Sequence, residues 1–276
     1  MAPRKTGKVD FPSDWWLPFE LARQVRSEPV VMGGLSVFDG LPRSSRRISE
    51  ALTAKGLVTA SIDIRNPTDD PNAQNILEEA GLTMFVEHLA SLEKESILWL
   101  APPCKSWSFL PRSVSRRSKA NPHGASSAWV DLGNQHAKFV EQALLAATSR
   151  GIWTVLEQPK GSLLFDEPGV AHALGAIGAR SVTVNLGCFD VPSLKPLTLK
   201  GTAPWLEQLQ DISKKRKASG VADGLDCLCT YDEDGNPTGT AAVPESEAYP
   251  EEFCEPRVIF YPVRPRLIGF RSFIAQ

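Results

Sequence analysis

Ile97-Leu98-Trp99-Leu100-Ala101-Pro102-Pro103-Cys104-Lys105-Ser106-Trp107-Ser108-Phe109-Leu110 is the segment around which the chain is organised. From Ile97 to Ala101 it is apolar without a break, the pattern of a strand covered on both faces in the middle of a parallel sheet. Pro102 and Pro103 cannot donate to a β-ladder, so the strand ends there and Cys104 stands just past its carboxyl end. Ligands of open α/β sheets bind at that edge. Lys105, followed by Arg112, Arg116, Arg117 and Lys119, puts the thiol in a positive field that favours thiolate. A lone cysteine after a strand reads equally well as a small buried hydrophobe, so the rest of the chain has to choose.

Outward from this segment, similar patterns recur. Leu35-Ser36-Val37-Phe38-Asp39-Gly40 reads as a strand ending at a glycine, followed by a helix over 43–55 that stops at Gly56. Val58 to Ile64 is a second buried strand, and its last turn carries Asp63. The separation from Gly40 is close to that at which a nucleotide-binding βαβ unit places the acid that holds ribose hydroxyls, although a turn or capping aspartate fits the same spacing. Ile152 to Leu156 is another buried strand and runs into the polar break Glu157-Gln158-Pro159-Lys160-Gly161-Ser162. Glu157 alone would be a cap or a surface acid; opposite a cysteine at the equivalent point of another strand it becomes a site candidate.

Short helices are expected over 14–26, 72–80 and 83–92, and a long amphipathic helix over 133–150. Lys105 to Ser127, rich in Ser, Arg, Pro and Gly and without apolar period, reads as a long mobile loop of the functional kind. A helix over 168–178, strands over 182–185 and 194–200 and a short helix over 204–212 follow. That helix ends in Lys214-Lys215-Arg216-Lys217, a solvated helix end or a phosphate-contact or import signal. From 218 to 255 the composition turns to Asp, Glu, Gly, Pro and Thr, with a hairpin turn at Tyr231 to Asn236, and a last strand falls over 258–261. Residues 1–30 thus form an arm and short helix, 31–212 the main domain, 213–256 a polar insertion or small recognition subdomain, and 257–276 a segment returning to the core.

The 276 residues, 42% hydrophobic and 22% charged, suit one large globular α/β domain with an appendage. Lys and Arg number 30 against 32 Asp and Glu, a net charge of −2, so any nucleic-acid contact must use local patches. Five cysteines without framework spacing point to free thiols in a reducing compartment, and Cys227, Cys229 and Cys254 lack zinc-site spacing, so no metal is expected. No apolar stretch follows the basic start and no run would span a bilayer, so neither signal peptide nor membrane is expected.

Strand-Phe-x-Gly, strand-Asp, strand-Pro-Pro-Cys and strand-Glu-x-Pro, in that order, resemble the DNA cytosine-5 methyltransferases over about residues 33–200. The chain looks like a divergent branch, similar to compact methyltransferase-like proteins of phages, viruses and algae or dinoflagellates. The resemblance implies a Rossmann-like α/β fold, a mostly parallel sheet with helices on both faces, S-adenosylmethionine as cofactor and methylation of cytosine carbon 5 in DNA. Phe38 would lie on the cofactor's adenine, the Gly40 backbone would pass close to its amino-acid end, Asp63 would hold its ribose, and Asp39 and Pro103 would also bind the cofactor. Cys104 would be the nucleophile on ring carbon 6, and Glu157 the acid at the ring nitrogen. Ser193-Leu194-Lys195-Pro196-Leu197 replaces the family's Gln-x-Arg-x-Arg, leaving Lys195 as the cation beside the flipped nucleotide. Lys105, Ser106, Arg112, Arg116, Arg117 and Lys119 would contact nucleic acid. The expected protein is an intracellular monomer, nuclear in a eukaryote. RNA or single-stranded nucleic acid is the alternative substrate, and an inactive binding module the alternative role.

Overall fold

A computed structural model describes residues 33–37, 47–54, 56–64, 73–189, 193–221 and 249–254, with short pieces at 225, 229–231, 233 and 237–239. Strands β1 (Gly33–Val37), β2 (Val58–Ile62), β3 (Ile97–Leu100), β4 (Trp153–Pro159), β5 (Arg180–Asn185) and β6 (Pro196–Gly201) form one six-stranded sheet in the order β2-β1-β3-β4-β6-β5. β1 pairs in parallel with β2 and with β3, and β3 with β4; β6 is antiparallel to both β4 and β5. The sheet is therefore mostly parallel, and all four residues of β3 are buried, as its unbroken apolar run predicts.

Helices cover both faces, so the molecule is of the Rossmann-like α/β class. Helices α2 (Glu79–Ser91), α4 (Ala128–Ser149) and α5 (Pro168–Ala176) pack one face, where Phe85, Phe139, Leu144 and Val170 meet Leu98, Leu100 and Leu156. On the other, α1 (Arg47–Ala54) and α6 (Leu206–Ala218) bring Ile48, Leu52, Leu206 and Leu209 to Trp99, Val155 and Leu199. A short helix, α3 (Arg112–Ser115), lies between β3 and α4; a two-stranded ribbon, β7 (Cys229–Tyr231) and β8 (Pro237–Gly239), precedes a last turn of helix, α7 (Glu251–Cys254). Among the described residues no helix is long and apolar enough to cross a membrane.

Several expected elements take a different form. β4 does not end at Leu156: its polar residues Glu157, Gln158 and Pro159 stay extended because antiparallel β6 pairs with them through Leu199, Thr198 and Leu197. One helix replaces two before β3, since residues 73–78 are held in a turn in which Asn75 Oδ1 accepts from the Leu77 N–H and Asn75 O from the Glu78 N–H. α4 begins at Ala128, and α6 runs on to Ala218, so the boundary drawn at 212/213 falls inside a helix. Ser213 there is buried and its Oγ accepts from the Asn185 N–H. Ribbon β7-β8 forms around the turn expected at 231–236. The helix expected at 14–26, the glycine turn of Phe38, Asp39 and Gly40, and the strand expected at 258–261 lie outside the described residues.

The basic segment 105–127 is a folded layer, not a mobile loop. Trp107 and Arg117 are both buried, with the Arg117 guanidinium carbon 3.4 Å from the centre of the Trp107 ring. Arg117 Nη1 donates to Asn134 Oδ1 (2.9 Å) and to the Pro122 carbonyl, and Nη2 to Ser106 Oγ (3.2 Å) and the Val130 carbonyl (2.9 Å). Burial draws the guanidinium down to about 10, against the pull of Glu167 and Asp131, so it stays charged at neutral pH. Gly133 makes room for this cluster: a Cβ there would stand 2.3 Å from Ser106 Oγ and 2.9 Å from Arg117 Nη2.

Candidate functional site

The carboxyl ends of β2 and β3 flank that of β1, the point where the strand order reverses direction and where open α/β sheets take nucleotides. A cavity of about 380 Å³ lies there, bounded by Asp63, which follows β2, and Pro103, which follows β3. Ile62, Ile76 and Leu77 give it an apolar wall, and α4 adds Leu132 and His136. Asp63 is buried, and its backbone N–H donates to Gln74 Oε1 at 3.1 Å. His136 is buried too; desolvation draws its imidazole down to about 4, so it is neutral near pH 7. The cavity thus offers one carboxylate, amides, a neutral imidazole and flat apolar surface, the donor set that a nucleoside with free ribose hydroxyls needs.

Next to the cavity, the turn after β3 presents Cys104, half-buried and not part of a disulfide. The turn is closed by the N–H groups of Trp107 and Ser108, both donating to the Cys104 carbonyl at 2.9 Å. It is tied to the exit of β4 by Gln158, only 1% exposed, whose Nε2 donates to the Pro102 carbonyl at 2.5 Å while its Oε1 accepts from Ser162 Oγ at 2.9 Å. Further bonds join the two loops: the Leu163 N–H donates to the Trp107 carbonyl (3.0 Å), and Arg112 Nη2 to the Gly161 carbonyl (2.9 Å). Leu100 and Leu156 are register partners, so Cys104 and Glu157 leave adjacent strands at the same end of the sheet.

Glu157 shares a sheet face with Val155 and Trp153, opposite to that of Leu156 and Gln158, because strand side chains alternate. Its Oε2 accepts from Tyr249 Oη at 2.8 Å. Burial pushes the carboxyl up, while the Lys195 cation and the Tyr249 hydroxyl oppose that rise. Lys195 lies in the turn entering β6, with a φ of 23° that non-glycine residues rarely adopt. Its carbonyl accepts from the Leu186 N–H at 3.2 Å.

The structure therefore brings Asp63 and Pro103 to one cavity, and Glu157 and Lys195 to one electrostatic group. It separates the basic residues: Lys105, Arg112, Arg116 and Lys119 are exposed, whereas Ser106 and Arg117 are buried in the cluster described above. A nucleic-acid contact by Ser106 or Arg117 is thereby corrected; their polar atoms hold the segment onto α4. Arg216, from the Lys214-Lys217 run, also turns inward, to the Cys188 carbonyl (3.0 Å) and Glu252 (2.7 Å). Tyr249, Gln158 and His136 escaped the sequence reading. Gln158 had a signal, its place between Glu157 and Pro159, but Tyr249 stands 92 residues from the acid it touches.

No family model and no curated protein matches the chain. Among solved structures, the S. pombe Dnmt2 methyltransferase aligns with 66% of this chain and 54% of its own at 14% identity, with a TM-score of 0.37. A mutant of Spodoptera frugiperda DNMT2 aligns with 61% of this chain and 49% of its own at 13% identity, with a TM-score of 0.33. The chain spans about half the length of each of these proteins.

Proposed function

We propose that the chain is an S-adenosylmethionine-dependent methyltransferase acting on carbon 5 of cytosine in DNA. What carries the reading is the joining of the Pro-Pro-Cys turn to the Glu-Gln-Pro strand by the Gln158 bond to Pro102, beside a nucleoside-sized cavity that contains Asp63. The residues around that cavity suit the cofactor: the Asp63 carboxylate would accept from ribose hydroxyls, and Ile62, Ile76, Leu77, Leu132 and Pro103 would pack on the adenine. S-adenosylmethionine, when bound, supplies an electrophilic methyl group.

In this mechanism the Cys104 thiolate adds to ring carbon 6, forming a C–S bond and pushing electrons through the ring towards nitrogen 3. Glu157, its carboxyl pushed up by burial, holds a proton at nitrogen 3 and makes carbon 5 enamine-like. Once carbon 5 is methylated, loss of its proton to a base lets the C–S bond break and frees Cys104. The base must leave its stack to reach these groups. Lys105, Arg112, Arg116 and Lys119 are the exposed cations for the phosphates.

Fluorine at carbon 5 cannot leave as a proton, so the adduct should accumulate. With S-adenosylmethionine and an oligonucleotide carrying 5-fluorocytosine, the protein should give a species that survives denaturing electrophoresis, and Cys104→Ala none. Duplex DNA, single-stranded DNA and RNA are to be run in parallel. Adduct with RNA alone would change the substrate, and absence of adduct with all three would leave the inactive binding module.

A further inference from the structure

We propose that Tyr249 is a positioning residue that fixes which oxygen of Glu157 can carry a proton; this rests on the reading of Glu157 as the acid at the ring nitrogen. The geometry is a directed chain. Trp99 Nε1 lies 3.1 Å from Tyr249 Oη, which lies 2.8 Å from Glu157 Oε2. An indole N–H can only donate, so the phenol accepts from Trp99 and turns its own hydrogen to Oε2. A carbonyl-type oxygen accepts that hydrogen better than a hydroxyl oxygen does, so the bond disfavours a proton on Oε2. When Glu157 is protonated the proton therefore sits on Oε1, and that atom is left to meet the base.

Tyr249 is held rigidly enough for this. It is buried, its carbonyl accepts from Arg47 Nη1 at 2.5 Å, its ring meets the Trp99 ring edge-on (6.0 Å, 89°), and it stacks on Phe253 (5.7 Å, 19°). Three elements supply the groups around Glu157: Trp99 from β3, Lys195 from the turn before β6, and Tyr249 from the segment before α7. Of these, Lys195 and Tyr249 bear on its charge, and both favour the carboxylate. A donor aimed at one oxygen thus orders the carboxyl in both of its protonation states.

The test is a carboxyl-carbon NMR titration of the full-length protein, with the Glu157 signal identified by its loss in Glu157→Gln. Tyr249→Phe removes only the hydroxyl, and the Glu157 midpoint should move to higher pH because the carboxylate loses a donor. Trp99→Phe should move it the same way by less, since the phenol hydrogen is then free to turn. In the fluorocytosine assay Tyr249→Phe should slow adduct formation roughly tenfold at neutral pH. The alkaline limb of its pH profile should follow the Glu157 midpoint upward, a change that loss of packing alone would not produce. An unchanged midpoint in either variant, with its melting temperature preserved, overturns the proposal. Shifted midpoints in a protein that forms no adduct would instead remove the cytosine chemistry and leave the positioning intact.

Discussion

At the scale of the residue, burial sets opposite pH dependences on two groups of the site. His136 takes its proton near pH 6.5 in the unfolded chain and at about 4 in the folded one. Between these values the unfolded state binds more protons, so this contribution to stability is complete above about 6.5 and is lost as the pH falls towards 4. The full difference is on the order of 3 kcal/mol. Glu157 behaves oppositely: its raised carboxyl holds a proton longer in the folded state, and its contribution is lost as the pH rises through the folded value. His136→Gln is neutral at every pH and isolates the first effect. In urea titrations from pH 7 down to 4.5 the variant should gain on the wild type as the pH falls, and parallel curves would show that unfolding does not titrate the imidazole.

At the scale of the element, two neighbouring arginines of the segment 105–127 have separate tasks. Arg117→Ala strands Ser106 Oγ, Asn134 Oδ1 and the Val130 carbonyl, and it empties the space over the Trp107 ring. It should cost about 2–4 kcal/mol in denaturant titration. Arg116, exposed at the left-handed cap of α3, should cost less than about 0.5 kcal/mol as alanine. On the nucleic-acid reading its loss should lower the slope of log affinity against log salt by about one, read by fluorescence anisotropy. The reverse pattern, a stable Arg117→Ala with a flattened slope, would return Arg117 to the surface. The same segment shows how a site is stiffened: with Gln158 and Arg112 reaching across, the exits of β3 and β4 are stitched together, so Cys104 sits on a supported turn.

At the scale of the whole molecule, residues 249–254 return from beyond ribbon β7-β8 to complete the face built by α1 and α6. Phe253 is buried between Phe189 and Tyr249, with ring centroids at 5.3 and 5.7 Å, and Glu252 is paired with Arg216 at 2.7 Å. Glu157 and the closing turn of the fold therefore meet at one aromatic cluster, which also contains Trp99 and Trp205 stacked at 6.4 Å. Phe253→Ala should lower stability by about 3–5 kcal/mol in guanidinium titration. A loss below 1 kcal/mol would mean that this segment contributes little to the core.

Local sequence was enough to determine the central strands and the edge to which they point. Unbroken apolar runs bury themselves on both faces, and Pro102-Pro103 cannot stay in a ladder, so the exit of Cys104 follows from residue chemistry alone. The extension of β4 through Glu157 did not, because a polar run becomes a strand only when antiparallel β6 supplies its partners. Arg117 sits in a run that reads as solvated; its burial needs Gly133 of α4 and the Trp107 ring, and local periodicity does not carry such partners. The hydroxyl on Glu157 comes from Tyr249, in an acidic stretch that reads as an insertion. Sequence pattern encodes which residues leave water and where the chain must turn. Which buried polar group meets which is decided by packing between distant elements, since each such group must find a partner wherever the fold provides one.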